Sequence, residues 1–164
     1  MSNMTTEVNI SQENIVKCLD KAVLVVLTNI SDDEVTVADP DSLAFFKNAD
    51  CRAAGIILSG DILVHVRLIT PVMLARLLAS RLGKCPPDNL NDDDISEGVA
   101  EIANQLAGRL RMLLWGQQCK TKMSLPGGDD PLAPDGTKRQ ALPPVNRFFT
   151  CMENLLLVQL VLFG

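Results

Sequence analysis

Glu97, Glu101 and Asn104 recur at the spacing of one helical face. At about 100° per residue they fall within roughly 60° of arc, while Val99, Ile102, Ala103, Leu106, Leu110 and Leu113 collect on the opposite side. The apolar set must face a core, so the two carboxylates and the amide face outward. A carboxylate there can meet a partner's cation, and an amide can hold a water molecule because it offers an acceptor and donors together. Beside the stripe stand Ala100, Ala107 and Gly108, small residues that leave clearance for an approaching surface. Gly108 costs about 1 kcal/mol relative to Ala in a helix interior, a loss of stability set against access.

Other groupings offer less chemistry. His65 is the only histidine and lies in a strand-like run, so a zinc hydrolase or a Ser/His nucleophile has almost nothing to build on. Asp92-Asp93-Asp94 precedes a helix, where adjacent acids serve capping and solubility rather than a metal. Gly127-Gly128-Asp129 lacks the Gly-Lys-Ser/Thr of a phosphate-binding loop. The five cysteines, Cys18, Cys51, Cys85, Cys119 and Cys151, include no C-x-x-C pair, and the odd count argues for reduced thiols in a cytoplasm. Neither a metal nor a bound cofactor is expected on this chain.

The elements that must position the stripe follow from patterning. The 164 residues suit one domain, 1–164 with a core over about 10–163. Hydrophobic residues make up 47% of the chain but aromatics only 4%, with no Tyr, so the core is aliphatic. Few aromatics and a formal charge of −5 argue against nucleic acid, which demands clustered cations and stacking platforms. Residues 1–14 show no secretory signal, and the apolar runs 22–27 and 155–163 fall short of the roughly 20 residues a membrane span needs. A helix is expected over 12–28 behind a Ser11 cap, and a short edge strand at Val35–Val37. Cys51–Leu58 and Ile62–Leu68 form a hairpin about Ser59-Gly60-Asp61. A second helix starts near Pro71 and is ended by Gly83. The stripe helix runs to about Gln118, capped by Asp94 with Glu97 at the third helical position of a capping box. Residues 120–125 have strand character, 126–144 form a long Pro/Gly/Asp loop, and a second hairpin joins 146–152 to 155–163 through Glu153-Asn154. About five hairpin-linked strands with helices grouped on one face define an α+β two-layer fold with a mainly antiparallel sheet. Trp115 fits core or dimer packing.

Glu101-x-x-Asn104, with Glu97 four residues before it, Ala107-Gly108 after it and Met123-Ser124-Leu125-Pro126 downstream, resembles the CheX/CheC/FliY group of chemotaxis phosphatases, and CheX most closely. The group's pattern is an Asp or Ser, three residues, a Glu, two residues, an Asn and a downstream Pro. Here Glu97 replaces the Asp or Ser, and Pro126 arrives one residue early. The resemblance implies a CheC/CheX-like fold and hydrolysis of the aspartyl phosphate of a CheY-type response regulator, whose own site supplies Mg²⁺ and a Lys. It implies that Asn104 positions the attacking water and that Glu101 docks to the regulator's Lys, with Glu97, Gly108 and Pro126 in support. It further implies a cytoplasmic homodimer in two-component signalling. The apolar run Leu155–Phe163 reads as an open edge able to pair with a second copy. The alternative is a CheX-like binding or scaffold module without turnover; a flagellar switch component is a third reading.

Overall fold

A computed structural model of the chain describes residues 12–39, 41, 43–59, 63–115, 122–123 and 142–163. In order, the elements are α1 (Gln12–Ser31), β1 (Val35–Val37), α2 (Leu43–Asn48), β2 (Cys51–Ser59), β3 (Leu63–Pro71), α3 (Val72–Gly83), a 3-10 turn (Pro87–Asn89), α4 (Asp92–Trp115), β4 (Lys122–Met123), β5 (Val145–Cys151) and β6 (Asn154–Phe163). Six strands form one antiparallel sheet in the order β1-β5-β6-β3-β2-β4. The α+β expectation is met.

Strand alternation divides the sheet into two faces. Ile56 and Leu58 of β2, Val64, Val66 and Leu68 of β3, Leu156, Val158 and Leu160 of β6, and Phe149 and Cys151 of β5 are buried under the long helices. α4 packs on β2 and is flanked by α1 and α3. Its apolar face, Ile95, Val99, Ile102, Ala103, Leu106, Ala107 and Leu110, is at most 1% exposed, which turns the Glu101 side outward. At the other end of the layer, Arg147 of β5 clamps Asp20 of α1 with Nε and Nη2 on the two carboxylate oxygens at 2.9 and 2.6 Å. This fork-on-carboxylate geometry fixes a helix to a strand at a chosen angle.

On the sheet's other face α2 touches β5, where Phe46 lies on Phe148 with ring centroids 5.8 Å apart. This helix was not expected. Six residues are too few to show a helical period, and its anchoring is aromatic rather than amphipathic. Along the same face the register sets Gly55, Arg67, Gln159 and Asn146 in one row and Ile57, His65 and Val161 in the next. The imidazole leans over Gly55, where an added Cβ would overlap His65 Nε2. Partial burial, followed by the charge of Arg67, holds the His65 pKa below its ordinary value of 6.5. The unfolded chain therefore takes up a proton at higher pH than the folded one, and stability declines as pH falls through 6.5 toward the folded value. Urea midpoints measured from about pH 7.5 down to about pH 5.5 should fall for the wild type and fall less for His65→Gln. Parallel slopes would remove His65 as the source.

Several boundaries move. α1 runs to Ser31, whose hydroxyl donates to the Leu27 carbonyl at 2.7 Å. Pro71 stands at the N-cap of α3 rather than in its first turn, and Lys84, not Gly83, takes the left-handed position that ends the helix. The β5–β6 turn is Met152-Glu153, both at positive φ, with Asn154 Nδ2 donating to the Met152 carbonyl at 2.8 Å. The largest correction concerns β6. It pairs with β3 on one side and β5 on the other, so Leu155–Phe163 is internal to the sheet and not an open edge. Among the described residues the outer strands are β1 and β4. Ser11, Gly60, Asp61, Cys119, Pro126 and most of 126–144 lie outside the described residues, as does the side chain of Trp115.

Candidate functional site: the outward ridge of α4

The start of α4 is set by a reciprocal cap one turn earlier than expected. Asn91 Oδ1 accepts from the Asp94 amide at 2.8 Å, and Asp94 Oδ2 accepts from the Asn91 amide at 3.0 Å. Asn91 is the capping residue and Asp94 the third position of the box. This corrects the assignment of the cap to Asp94 and of the third position to Glu97. Asp92 takes up the remaining early position, 3.8 Å from Arg52 of β2. Of the three acids, Asp94 thus serves the cap, Asp92 an ion pair, and Asp93 is exposed; no group of three metal-ligating side chains occurs among the described residues. Glu97, released from capping, is exposed and has no hydrogen-bond or ion-pair partner among the described residues.

Glu101 is exposed one turn further on, where its Oε1 accepts from Gln105 Nε2 at 3.2 Å. Asn104 is half-buried, and its side-chain amide has no partner among the described residues. It follows Glu101 by three residues, about 4.5 Å of helix rise, on the same face. A part-shielded amide with open hydrogen-bonding positions can bind a water, while the neighbouring carboxylate stays accessible to a cation. The structure therefore brings Glu97, Glu101 and Asn104 onto one outward ridge. Pro126 is outside the described residues.

Of the small residues, Ala107 belongs to the core and gives no clearance, being fully buried. Ala100 is half-buried at the ridge's flank. Gly108 is half-buried, and among the described residues a Cβ built on it would meet only Met123 Sδ of β4 at 3.9 Å, ordinary contact. Packing does not require glycine there. Gly108→Ala should stabilise the fold by up to about 1 kcal/mol through helix propensity; a lower thermal midpoint would show that something else holds the site. Gly108→Leu should likewise leave the fold intact, so it can report on clearance at the ridge without unfolding the chain.

Two residues escaped the sequence. Gln105 sits on the ridge between two grooves. One, of about 570 Å³, runs between α3 and α4, and Glu97, Glu101 and Gln105 lie along it. The other, of about 340 Å³, runs between α1 and α4 past Val25, Asn29, Gly108 and Met112. Gln105 was visible only as an i+4 partner of Glu101. Gly98 is the second: a Cβ on it would stand 2.6 Å from Ala79 Cβ and 3.0 Å from Ala79 Cα. It marks where α3 and α4 touch, and it sets the depth of the first groove.

An antiparallel sheet carrying α1, α3 and a long ridge helix on one face defines a CheC/CheX-like fold. Residues 52–128 match the family model described as chemotaxis phosphatase CheX. The chain is similar in structure to the chemotaxis protein CheX from Vibrio vulnificus, with 16% identity and a TM-score of 0.66 over 92% of this chain and 96% of that one. It is also similar to the CheX–CheY–BeF3–Mg²⁺ complex from Borrelia burgdorferi, at 15% identity and TM-score 0.60 over 92% and 98%. FliY from Thermotoga maritima matches at 11% identity and TM-score 0.59 over 95% and 92%. No curated protein matches in sequence. The likeness to CheX-type chemotaxis phosphatases thus holds in sequence over residues 52–128 and in fold along nearly the whole chain. No helix among the described residues is long and apolar enough to cross a membrane.

Proposed function

We propose that this chain is a protein-aspartyl-phosphate phosphatase acting on a CheY-type response regulator in the cytoplasm. The observation that carries the reading is the ridge itself: Asn104, half-buried and unpartnered among the described residues, beside an accessible Glu101 on the helix that the family match spans. A structural relative is a CheX–CheY complex holding BeF3 and Mg²⁺, which supports a phosphorylated regulator as partner. In such a partner the acyl phosphate, its Mg²⁺ and a charge-neutralising Lys are already in place, as phosphoryl transfer generally requires. What this chain adds is a water held in line with the P–O bond, by Asn104. Glu101 pairs with the regulator's Lys and sets the orientation of the two proteins; it need not remove a proton, because an acyl phosphate is an activated substrate.

Glu97 enters in a supporting role, now without a competing structural duty. A homodimer remains part of the proposal. Its support moves from β6, which is internal, to the edge strand β1, where Val37 is 45% exposed. The deciding measurement follows phosphate loss from a panel of phosphorylated regulators with wild type and Asn104→Ala. Wild type should accelerate loss from at least one regulator and the variant should not; identical rates across the panel would leave a binding module without turnover.

A further inference from the structure

The groove between α3 and α4 has a chemistry that water positioning does not use. Its floor is apolar, formed by buried Ala79 and half-buried Leu82 and Leu90. Gly83 and Gly98 add no side chains to its walls, which keeps it open. Its mouth carries three carboxylates, Asp94, Glu97 and Glu101, and among the described residues no Lys or Arg lines it. Asp94 is engaged in the cap and Glu101 with Gln105, while Glu97 has no partner among the described residues.

These properties select an occupant. An anionic side chain would be repelled at the mouth. An aliphatic one would fill the floor but would strip water from a carboxylate without replacing its hydrogen bonds, which costs free energy. A long side chain with an apolar stem and a cationic head meets both surfaces, the stem on Leu82 and Leu90 and the head at Glu97. The groove also shares Glu101 and Gln105 with the outward ridge, so a protein docked on Glu101 stands at its edge. We infer that this groove receives a Lys or Arg side chain of the docked regulator, outside the regulator's phosphorylation site, and that this contact selects among regulators. The inference rests on the phosphatase reading for its partner. It adds a second anchor, one helical turn from Glu101, whose effect is on affinity and choice rather than on the chemical step.

Binding separates the two ideas because it needs no turnover. Regulators activated with beryllium fluoride are titrated against wild type, Glu97→Lys, Leu82→Arg and Asn104→Ala. For the regulator bound best by wild type, Glu97→Lys and Leu82→Arg should each raise Kd by about tenfold or more, the scale of one desolvated charged contact. Asn104→Ala should bind nearly as wild type. Glu97 is exposed, so Glu97→Lys keeps the test valid if Leu82→Arg fails to fold. Changing the regulator's surface Lys and Arg residues to Glu one at a time should reveal one change that restores affinity for Glu97→Lys. Equal Kd values for wild type and Glu97→Lys, or no restoring change, would overturn the groove assignment and leave the phosphatase reading intact. Normal groove behaviour with equal phosphate-loss rates for wild type and Asn104→Ala would do the reverse.

Discussion

Asn104→Ala is expected to lower the rate of regulator dephosphorylation by on the order of 100-fold or more, the loss typical of one preorganised polar group at a transition state. The reasoning starts from what the substitution leaves alone. Asn104 is half-buried and makes no hydrogen bond among the described residues, so its removal breaks no hydrogen bond there and should change stability little. Alanine also favours the helix. On the proposed function the loss should therefore appear in kcat with KM nearly unchanged, because Glu101 and the grooves would still dock the partner. Glu101→Ala should show the opposite balance, with weaker binding first. Asn104→Asp is the sharper comparison: it keeps the shape but replaces an amide donor with a negative charge facing a phosphoryl group. A variant that retained more than about a tenth of the wild-type kcat would move the water-positioning role to another residue, with Gln105 the nearest amide.

Gly98→Ala should destabilise the fold by up to about 2 kcal/mol, although alanine is the better helix former. Helix propensity alone favours Ala by about 1 kcal/mol. Against it, the new methyl would stand 2.6 Å from Ala79 Cβ and 3.0 Å from its backbone Cα, and Ala79 is 5% exposed with no flexible end to give way. α3 and α4 must move apart, and overpacking of this kind costs typically 1–3 kcal/mol. At roughly 2–4 °C per kcal/mol for a chain of this size, thermal melting resolves it. Gly98→Ala with Ala79→Gly should recover part of the loss, a coupling that only two residues in contact can show. Equal or higher stability for Gly98→Ala would mean the helices are not so close. Gly98 and Gly108 lie ten residues apart on one helix, and the two substitutions are expected to act in opposite directions.

The long elements and the ridge were legible because they rest on period. The apolar stripe of α4 is strong enough to orient Glu101 and Asn104 without reference to any neighbour, and the packing agrees. What period does not encode is partnership. Leu155–Phe163 reads as an apolar strand whether it lies at an edge or in the interior, and only its pairing with both β3 and β5 decides. The cap of α4 illustrates a nearer failure: Asn91 with Asp94 and Asp94 with Glu97 both satisfy the three-residue spacing of a capping box. The molecule makes the first, which leaves Glu97 without a capping duty. Gly98 drew no notice because a close helix approach depends on the residue opposite, Ala79, which lies 19 positions away. Ala107 failed in the other direction: its small size matched a clearance role, but its angle on the helix places it in the core.

The interior position of β6 also bears on how the molecule assembles. β2 with β3, and β5 with β6, pair between strands that are neighbours in sequence. The seam that unites them joins Leu63 to Phe163 and Ile69 to Leu157, positions close to a hundred residues apart. Closing a loop of that length is entropically costly and receives no return until several rungs are in place. The rate-limiting event in folding should thus be the zipping of β3 onto β6. Substitutions along that seam should slow refolding, whereas those in either hairpin's turn should mainly speed unfolding.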